Sequence, residues 1–354
     1  ADPGALQIDG DQQLDGPTDA LQMHTDVVLL RPPHRAAIQA TAALQGSHLA
    51  IPSLQIDSGR TDADARGTLE GSAELDWADG WRWQLDAQAQ QLDPALGWPD
   101  WAGSLSAQVH SQGRWKDDRT EGRLQVRELH GQVRDSAMAG EVELHWQARD
   151  QAQLSAALNV GGGRLRGDLS LADELQGEWR LQDWDLAALP IPDMPMQGRI
   201  EAHLGVSGSV AAPRLDIDAK ARDLAVSGLS AKSLKAQGRL GWGGDAPLRF
   251  DVSGSELSLA GQALTALALQ VDGQWSAQQW QARLQTAQGE LTAQAHGGGD
   301  GSDWSGTLDR LQVSSVNPRW ASWNLRQAVD VQMGDSTRIA PFCIDNGAEA
   351  RLCA

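Results

Sequence analysis

The chain has 354 residues and a formal net charge of −18. This acidic balance argues against nucleic-acid binding and against electrostatic docking on anionic headgroups, because both need clustered Lys and Arg. No 18-residue apolar run occurs, so we expect no transmembrane segment in this chain. The apolar positions hold few aromatic residues, 15 Trp and two Phe without Tyr. Leu, Ala, Val and Ile fill most of the apolar positions instead. These smaller side chains suggest an apolar face that is not closed against a second sheet.

Residues 1–35 are polar and interrupted by Pro, and we expect an irregular segment or a truncated edge there, with a strand near Leu21–Leu30. The chain starts with Ala-Asp-Pro-Gly, which is neither an initiator Met nor the start of a signal peptide. We therefore expect a piece of a longer protein. Segment 35–46 suits a helix by propensity. Its apolar residues recur at every second position, however, and this favours a strand.

From Leu49 onward apolar residues alternate with polar ones in about twenty short segments. Successive side chains of a strand point to opposite faces, so each segment predicts a strand with one apolar and one polar face. Gly-rich turn signals separate the segments, as at 161–163 and 297–301. Loops 92–96 and 185–189 each suit a single helical turn. The pattern predicts one continuous all-β domain over 1–354 without a linker.

One strand unit occurs twice, at Gly103–Gly113 and Gly198–Gly208. Each copy follows a Trp-x-Leu strand and a loop that contains Pro. Several tryptophans share the phase of their strands' apolar residues, and we expect them on the apolar face, some near its rims: Trp83, Trp146, Trp179, Trp280 and Trp323.

The motifs of catalysis are missing from the sequence. The eight His occur singly, without a His-Glu-x-x-His set, and no Lys-Ser/Thr or helix follows the glycines at 161–163. Carboxylates are plentiful, yet the sequence singles out no pair for glycoside hydrolysis. We therefore expect no enzyme, no cofactor and no metal site.

Cys343 and Cys353 are the only cysteines and lie ten residues apart. Two such cysteines suggest a disulfide and an oxidising compartment. The alternative is a pair of buried free thiols in the cytosol. A zinc site needs more ligands than this segment offers, since no His follows His296.

The C-terminal motifs are specific enough to suggest a family. Trp304-x-Gly-x-Leu308 leads to Trp323-x-Leu325 and then to the Cys343 and Cys353 segments. Together with the repeat unit that begins at Trp83, they resemble the central section of the TamB family. These proteins are the periplasmic subunits of the translocation and assembly module of Gram-negative bacteria. The resemblance extends over most of 49–354.

The resemblance implies an elongated repeat sheet curved into a U-shaped hydrophobic trough, a β-taco, whose polar face meets the periplasm. It implies an AsmA-like bridge protein that carries phospholipids between the inner and outer membranes and supports outer-membrane protein assembly. An inner-membrane anchor and the region that meets the outer-membrane barrel partner TamA are expected outside this chain. The candidate lining of the groove for acyl chains is Leu105, Ala107, Val109, Ile200, Ala202, Leu204, Val206, Leu215, Ile217, Leu257, Leu259, Leu267, Leu269 and Val271.

Three alternatives remain open at this point. The apolar faces could close on each other as an ordinary core. The chain could be an adhesive β-solenoid, although it has only four Asn and its larger repeat, from Trp83 to Trp179, is long. It could also be a scaffold that guides outer-membrane protein strands at a sheet edge without carrying lipid.

Overall fold

The computed structural model describes residues 7–17, 20–31, 34–60, 66–96, 101–134, 136–147, 150–188, 196–242, 245–259, 261–299, 303–317, 322–334, 336–346 and 350–353. Strands hold 83 % of these residues. The only helices in these ranges are two short 3-10 turns, Pro94–Leu96 and Leu186–Ala188. Both lie in the loops where the sequence predicts a single helical turn, so that prediction is confirmed.

The chain divides into two compact units. Unit 1 comprises Ala1–Asp173 and Ala188–Pro192, and unit 2 comprises Glu174–Ala187 and Asp193–Ala354.

Unit 1 is an antiparallel sheet in which each strand pairs with the next one along the chain. Its strands are β1 (Gln7–Asp15), β2 (Ala20–Arg31), β3 (His34–Gln45), β4 (His48–Arg60), β5 (Arg66–Asp76), β6 (Trp81–Leu92), β7 (Gly103–Lys116), β8 (Arg119–Val133), β9 (Ser136–Gln147), β10 (Gln151–Val160) and β11 (Gly163–Leu171).

Unit 2 repeats this sequential antiparallel pairing from β12 to β20 and ends in five short strands. Its strands are β12 (Leu175–Asp185), β13 (Met196–Ser209), β14 (Ala212–Val226), β15 (Leu229–Gly241), β16 (Pro247–Leu259), β17 (Gln262–Gln274), β18 (Ala277–Gln285), β19 (Gly289–Gly299), β20 (Trp304–Ser315), β21 (Trp323–Leu325), β22 (Val329–Met333), β23 (Arg338–Ile339), β24 (Cys343–Asp345) and β25 (Arg351–Cys353).

The described strands of each unit pair antiparallel with their neighbours. The predicted fold class is therefore confirmed, since such all-β sheets are consistent with a trough. Segment 35–46 forms strand β3, as its alternation predicted. In 1–35, where we expected irregular structure or a truncated edge, the described residues form β1 and β2. Strand β1 is a fully exposed edge strand that pairs only with β2 among the described residues.

The strict alternation is broken where a strand carries one extra residue. In β8, Val126 and Leu129 pair with consecutive same-side residues of β9, although three positions separate them. Glu128 occupies the extra position with a φ of 51°, and Gln91 in β6 and Asp183 in β12 have the same φ. Such β-bulges keep the apolar residues on one face when the spacing in the sequence changes from two to three.

The last long strand of unit 2, β20, pairs along its outer edge with two short strands. Strand β20 pairs with β22 over Trp304–Leu308 and with β21 over Gln312–Val313. Strand β21 pairs in turn with β24, which forms a hairpin with β25. Cys343 and Cys353 lie directly opposite each other in this hairpin, with Cα atoms 4.1 Å apart, and form a disulfide. The predicted pairing is confirmed.

Candidate functional site: the apolar face of the sheet

The register of unit 1 aligns its apolar side chains in continuous rows across the strands. Residues directly opposite each other in an antiparallel ladder share a face. Val109 therefore lies between Ala87 and Val126 on its two neighbouring strands. Of the predicted lining residues, Leu105 and Ala107 lie on this same face of β7. One row crosses six strands through Leu85, Ser111, Leu124, Leu144, Leu154 and Leu169.

Unit 2 has the same arrangement. Leu204 lies between Trp179 and Ile217, and Val206 pairs with Leu215. Both pairs of the predicted lining therefore meet on one face, together with Ile200 and Ala202 of the same strand. One row crosses seven strands through Ala202, Ala219, Ala236, Val252, Leu269, Ala282 and Ala293.

The remaining predicted residues of β16 and β17 differ in their surroundings. Leu267 lies opposite Gly254, and Val271 opposite Phe250, where it is 4 % exposed. Leu257 is buried, whereas Leu259, two residues on, is 51 % exposed at the end of its strand. The predicted lining therefore includes both enclosed and open positions.

Most apolar side chains on these rows are half-buried. Leu105, Leu204 and Ile217 are examples, each with the smaller part of its surface exposed. Interior side chains of two packed layers are normally fully buried. Fully buried apolar residues are few among the described residues: Ala89, Ala95, Val133, Leu186, Ala221, Ala231, Leu248, Leu257, Val271 and Val329. Most side chains on the apolar rows therefore keep part of their surface accessible.

Tryptophan rings on this face lie over glycines. In unit 1, a Cβ on Gly113 would meet the Trp83 ring, and a Cβ on Gly122 would meet the Trp146 ring. The two rings stack with centroids 6.2 Å apart and planes 16° apart. The indole N–H of Trp83 donates to Ser111 Oγ at 3.2 Å. Because the two glycines have no side chain, the rings can pack against the backbone of the sheet.

Three more tryptophans extend this pair to the end of the strands. Trp81 and Trp115 lie directly opposite each other and are 45 % and 47 % exposed. Trp77 contacts Trp81 with ring centroids 5.8 Å apart and planes tilted by 32°. We call Trp77, Trp81, Trp83, Trp115 and Trp146 the tryptophan rim. The alternation in the sequence predicts Trp83 and Trp146 on this face but not the other three tryptophans, although the spacing of two between Trp81 and Trp83 is a visible signal.

A family model described as "TamB, N-terminal domain" matches residues 10–354. The chain belongs to the TamB family. The resemblance drawn from the sequence is therefore confirmed, although it pointed to the central section and the matched model describes the N-terminal domain. No solved structure matches the chain. A search of the described residues finds no helix of the length and apolarity that a membrane span needs.

The opposite face of the TamB-family sheet is polar and carries paired charges. In β6 to β9 it holds the ion pair Arg114–Glu121, at 2.9 Å, and a hydrogen bond of 2.6 Å between His110 Nδ1 and Asp86 Oδ1. Charged side chains, Arg82 among them, line a concave pocket of about 750 Å³ there. Within the described ranges, no group of three or more His, Cys, Asp or Glu comes together as a metal site would require.

The pKa of Asp86 on this face is lowered. The side-chain hydrogen bond from His110 holds the pKa of Asp86 below its usual value of 3.8, and a second bond from Gln84 acts in the same direction. Both bonds stabilise the charged form of Asp86. The polar face thus favours ionised, solvated side chains.

Proposed function

We propose that the apolar face holds the acyl chains of phospholipids and lets them move along the sheet. The observation that supports this is the half-burial of rows such as the one through Leu204. Apolar area that stays accessible in a folded sheet is stabilised when another apolar surface covers it. An acyl chain provides that surface without needing any polar partner.

The energy involved is sufficient for retention. Burial contributes about 0.8 kcal/mol per CH₂, so a sixteen-carbon chain gains on the order of 10 kcal/mol over water. This gain has no direction and recurs from row to row. A lipid therefore moves along the face without meeting one deep trap, while its charged headgroup stays in water.

The family and the disulfide support the setting of this role. A disulfide such as Cys343–Cys353 persists in oxidising compartments, of which the bacterial periplasm is one. We infer a non-enzymatic, periplasmic part of a bridge between the inner and outer membranes of a Gram-negative bacterium. Anchoring in the inner membrane and contact with the barrel partner TamA would then be made by regions outside this chain.

The second candidate is a scaffold for outer-membrane protein strands that carries no lipid. The exposed edge of β1 favours it, because nine residues there pair on one side only among the described residues. Unpaired backbone groups at a sheet edge can accept another strand. The two candidates differ in ligand, and this difference can be measured.

Leu204→Arg tests the lipid role. Leu204 is half-buried between Trp179 and Ile217, so Arg would place a charge among acyl chains, where an unpaired charge is costly. We expect a folded protein, because the long side chain can reach water. Mass spectrometry of organic extracts should then find less co-purified phospholipid than in the wild type.

His203→Arg is the matched control on the polar face. His203 is exposed and its Nε2 lies 3.5 Å from a carboxylate oxygen of Glu178, so Arg keeps a nitrogen donor beside that carboxylate. This variant should carry as much lipid as the wild type. Equal lipid in Leu204→Arg would exclude this strand from the path, and a wild type without lipid would favour the scaffold. A sharp drop in thermal stability of Leu204→Arg alone would indicate a closed core.

A further inference from the structure

The tryptophan rim gathers five of the chain's 15 tryptophans on one end of the apolar face of unit 1. Trp81 and Trp115 form its outer row, and Trp83 and Trp146 its inner row, stacked over two glycines. Trp81 and Trp115 are exposed, and Trp77, Trp83 and Trp146 are half-buried beside them. Isolated exposed tryptophans need no explanation, but a contiguous apolar cluster that reaches the surface marks an interaction site.

The side chains of β6 to β9 change in character from the rim inward. Behind the two tryptophan rows comes a row with Leu85 and Leu144, followed by a row with Ala87 and Val142. Successive rows on one face lie about 6.8 Å apart, so three steps inward span about 20 Å. An acyl chain in one leaflet spans about 15 Å, half of the hydrocarbon core. The strands are therefore long enough to hold one acyl chain along their direction.

Charged side chains lie at the ends of the same strands. In the turns beside the outer row, Lys116 Nζ contacts Asp79 Oδ1 at 2.5 Å, and both side chains are exposed. Along β6 and β7 the order is therefore an ion pair, indole rings and then aliphatic groups. A phospholipid has the same order, with its zwitterionic headgroup, glycerol ester region and acyl chain.

We propose that the tryptophan rim binds the glycerol ester region of a single phospholipid whose acyl chain lies along β6 to β9. An indole has a large apolar ring and an N–H donor, and it prefers the boundary between hydrocarbon and headgroups. The rim thus fixes the depth to which a lipid enters the apolar face. This inference rests on the proposed lipid function and adds a defined site to it.

The test uses short-chain phosphatidylcholine below its micelle concentration, so that no membrane surface forms. Bromine quenches tryptophan fluorescence on contact, and the lipid carries it either near the glycerol or near the methyl end of the chain. In the double variant Trp81→Phe/Trp115→Phe we expect less quenching than in the wild type. The loss should be at least twofold larger for the lipid brominated near the glycerol than for the lipid brominated near the methyl end. The variant's affinity for either lipid should fall several-fold, while Phe keeps the fold.

Trp242→Phe is the matched control. Trp242 is 52 % exposed but lies in unit 2 and makes no ring contact with the described residues. It should change quenching equally for the two lipids and leave the affinity unaltered. If the double variant fails to fold, Trp81→Phe and Trp115→Phe singly serve the same comparison.

Wild-type quenching that the rim variants leave unchanged would overturn the rim proposal alone. The absence of quenching in the wild type would overturn the lipid function as well.

Discussion

At the scale of single residues, glycines opposite aromatic rings determine how much room the apolar face offers. The Cβ of an alanine at Gly122 would overlap the Trp146 ring and would lie 2.8 Å from the Gln112 carbonyl oxygen. A ring lifted off the sheet would occupy the space above the face. This is the pairing by which aromatic side chains cover glycines in sheets.

Gly122→Ala should therefore destabilise the sheet by about 1–3 kcal/mol, the usual range for overpacking. Urea unfolding measures the loss, and near-ultraviolet circular dichroism should show that the stacking of Trp83 and Trp146 has changed. The matched control is Gly205→Ala. Its new Cβ would have the Asp216 Cβ at 3.6 Å as its nearest neighbour, an ordinary contact. Equal losses in the two variants would contradict the role given to the glycine.

Asp86 makes a pH-dependent contribution. Its pKa is held below 3.8 in the folded chain by the hydrogen bonds from His110 and Gln84. A lowered pKa stabilises the folded state above the unfolded value, and this stabilisation disappears as the pH falls through the folded value. Since the Asp86 side chain is 53 % exposed, the contribution stays below about 1 kcal/mol.

Asp86→Asn should accordingly be slightly less stable than the wild type at neutral pH. The difference should shrink as the pH falls through and below the pKa of the folded carboxyl. Urea midpoints measured at a series of pH values check this. A gap that stays constant down to the lowest pH would show that the charge of Asp86 plays no part.

At the scale of strands, the β-bulges hold the two faces in phase. Glu128 has a φ of 51°, a conformation that favours glycine and disfavours β-branched residues. Its carboxylate accepts a 2.7 Å hydrogen bond from Gln108. Glu128→Gly and Glu128→Val both remove this bond, so a comparison of the two variants isolates the effect of the backbone conformation.

Glu128→Gly should be more stable than Glu128→Val by about 1–2 kcal/mol, the cost of a left-handed conformation for a residue with a Cβ. The same two substitutions at Gln132, an exposed position of β8 with ordinary strand geometry, should give the opposite order, because valine suits a strand better than glycine. Chemical denaturation of the four variants tests this. The same order at both positions would disprove the bulge as a special conformation.

Alternation predicted most of each strand and failed at the bulges for a physical reason. In Val126-Arg-Glu-Leu129 the apolar spacing changes from two to three, which a strict period of two reads as a change of face. The extra residue in β8 restores the phase instead. Such three-residue intervals are visible in the sequence, but only the pairing partner shows whether a bulge, a turn or a new strand resolves them.

At the scale of the whole chain, the sequence predicted an all-β protein of the TamB family and the Cys343–Cys353 pair. It could not decide whether the apolar face is closed. The alternation around Leu204 suits a sandwich interior and an open face equally well, since both place one side of the strand among apolar groups. The half-burial of Leu204 favours an open face, and the thermal stability of Leu204→Arg tests this. The tryptophan rim was missed because its members come together through pairing between strands.

Photo-crosslinking with a phospholipid that carries a photoactivatable group in its acyl chain tests the central claim most directly. If acyl chains follow the apolar face of unit 1, crosslinks should form at Leu85, Leu144 and Leu154. Their chain neighbours Gln84, His145 and Ser155, whose side chains point to the opposite face, should stay unlabelled. Equal labelling of both sets, or labelling of the polar set alone, would contradict an acyl-chain path along the apolar face.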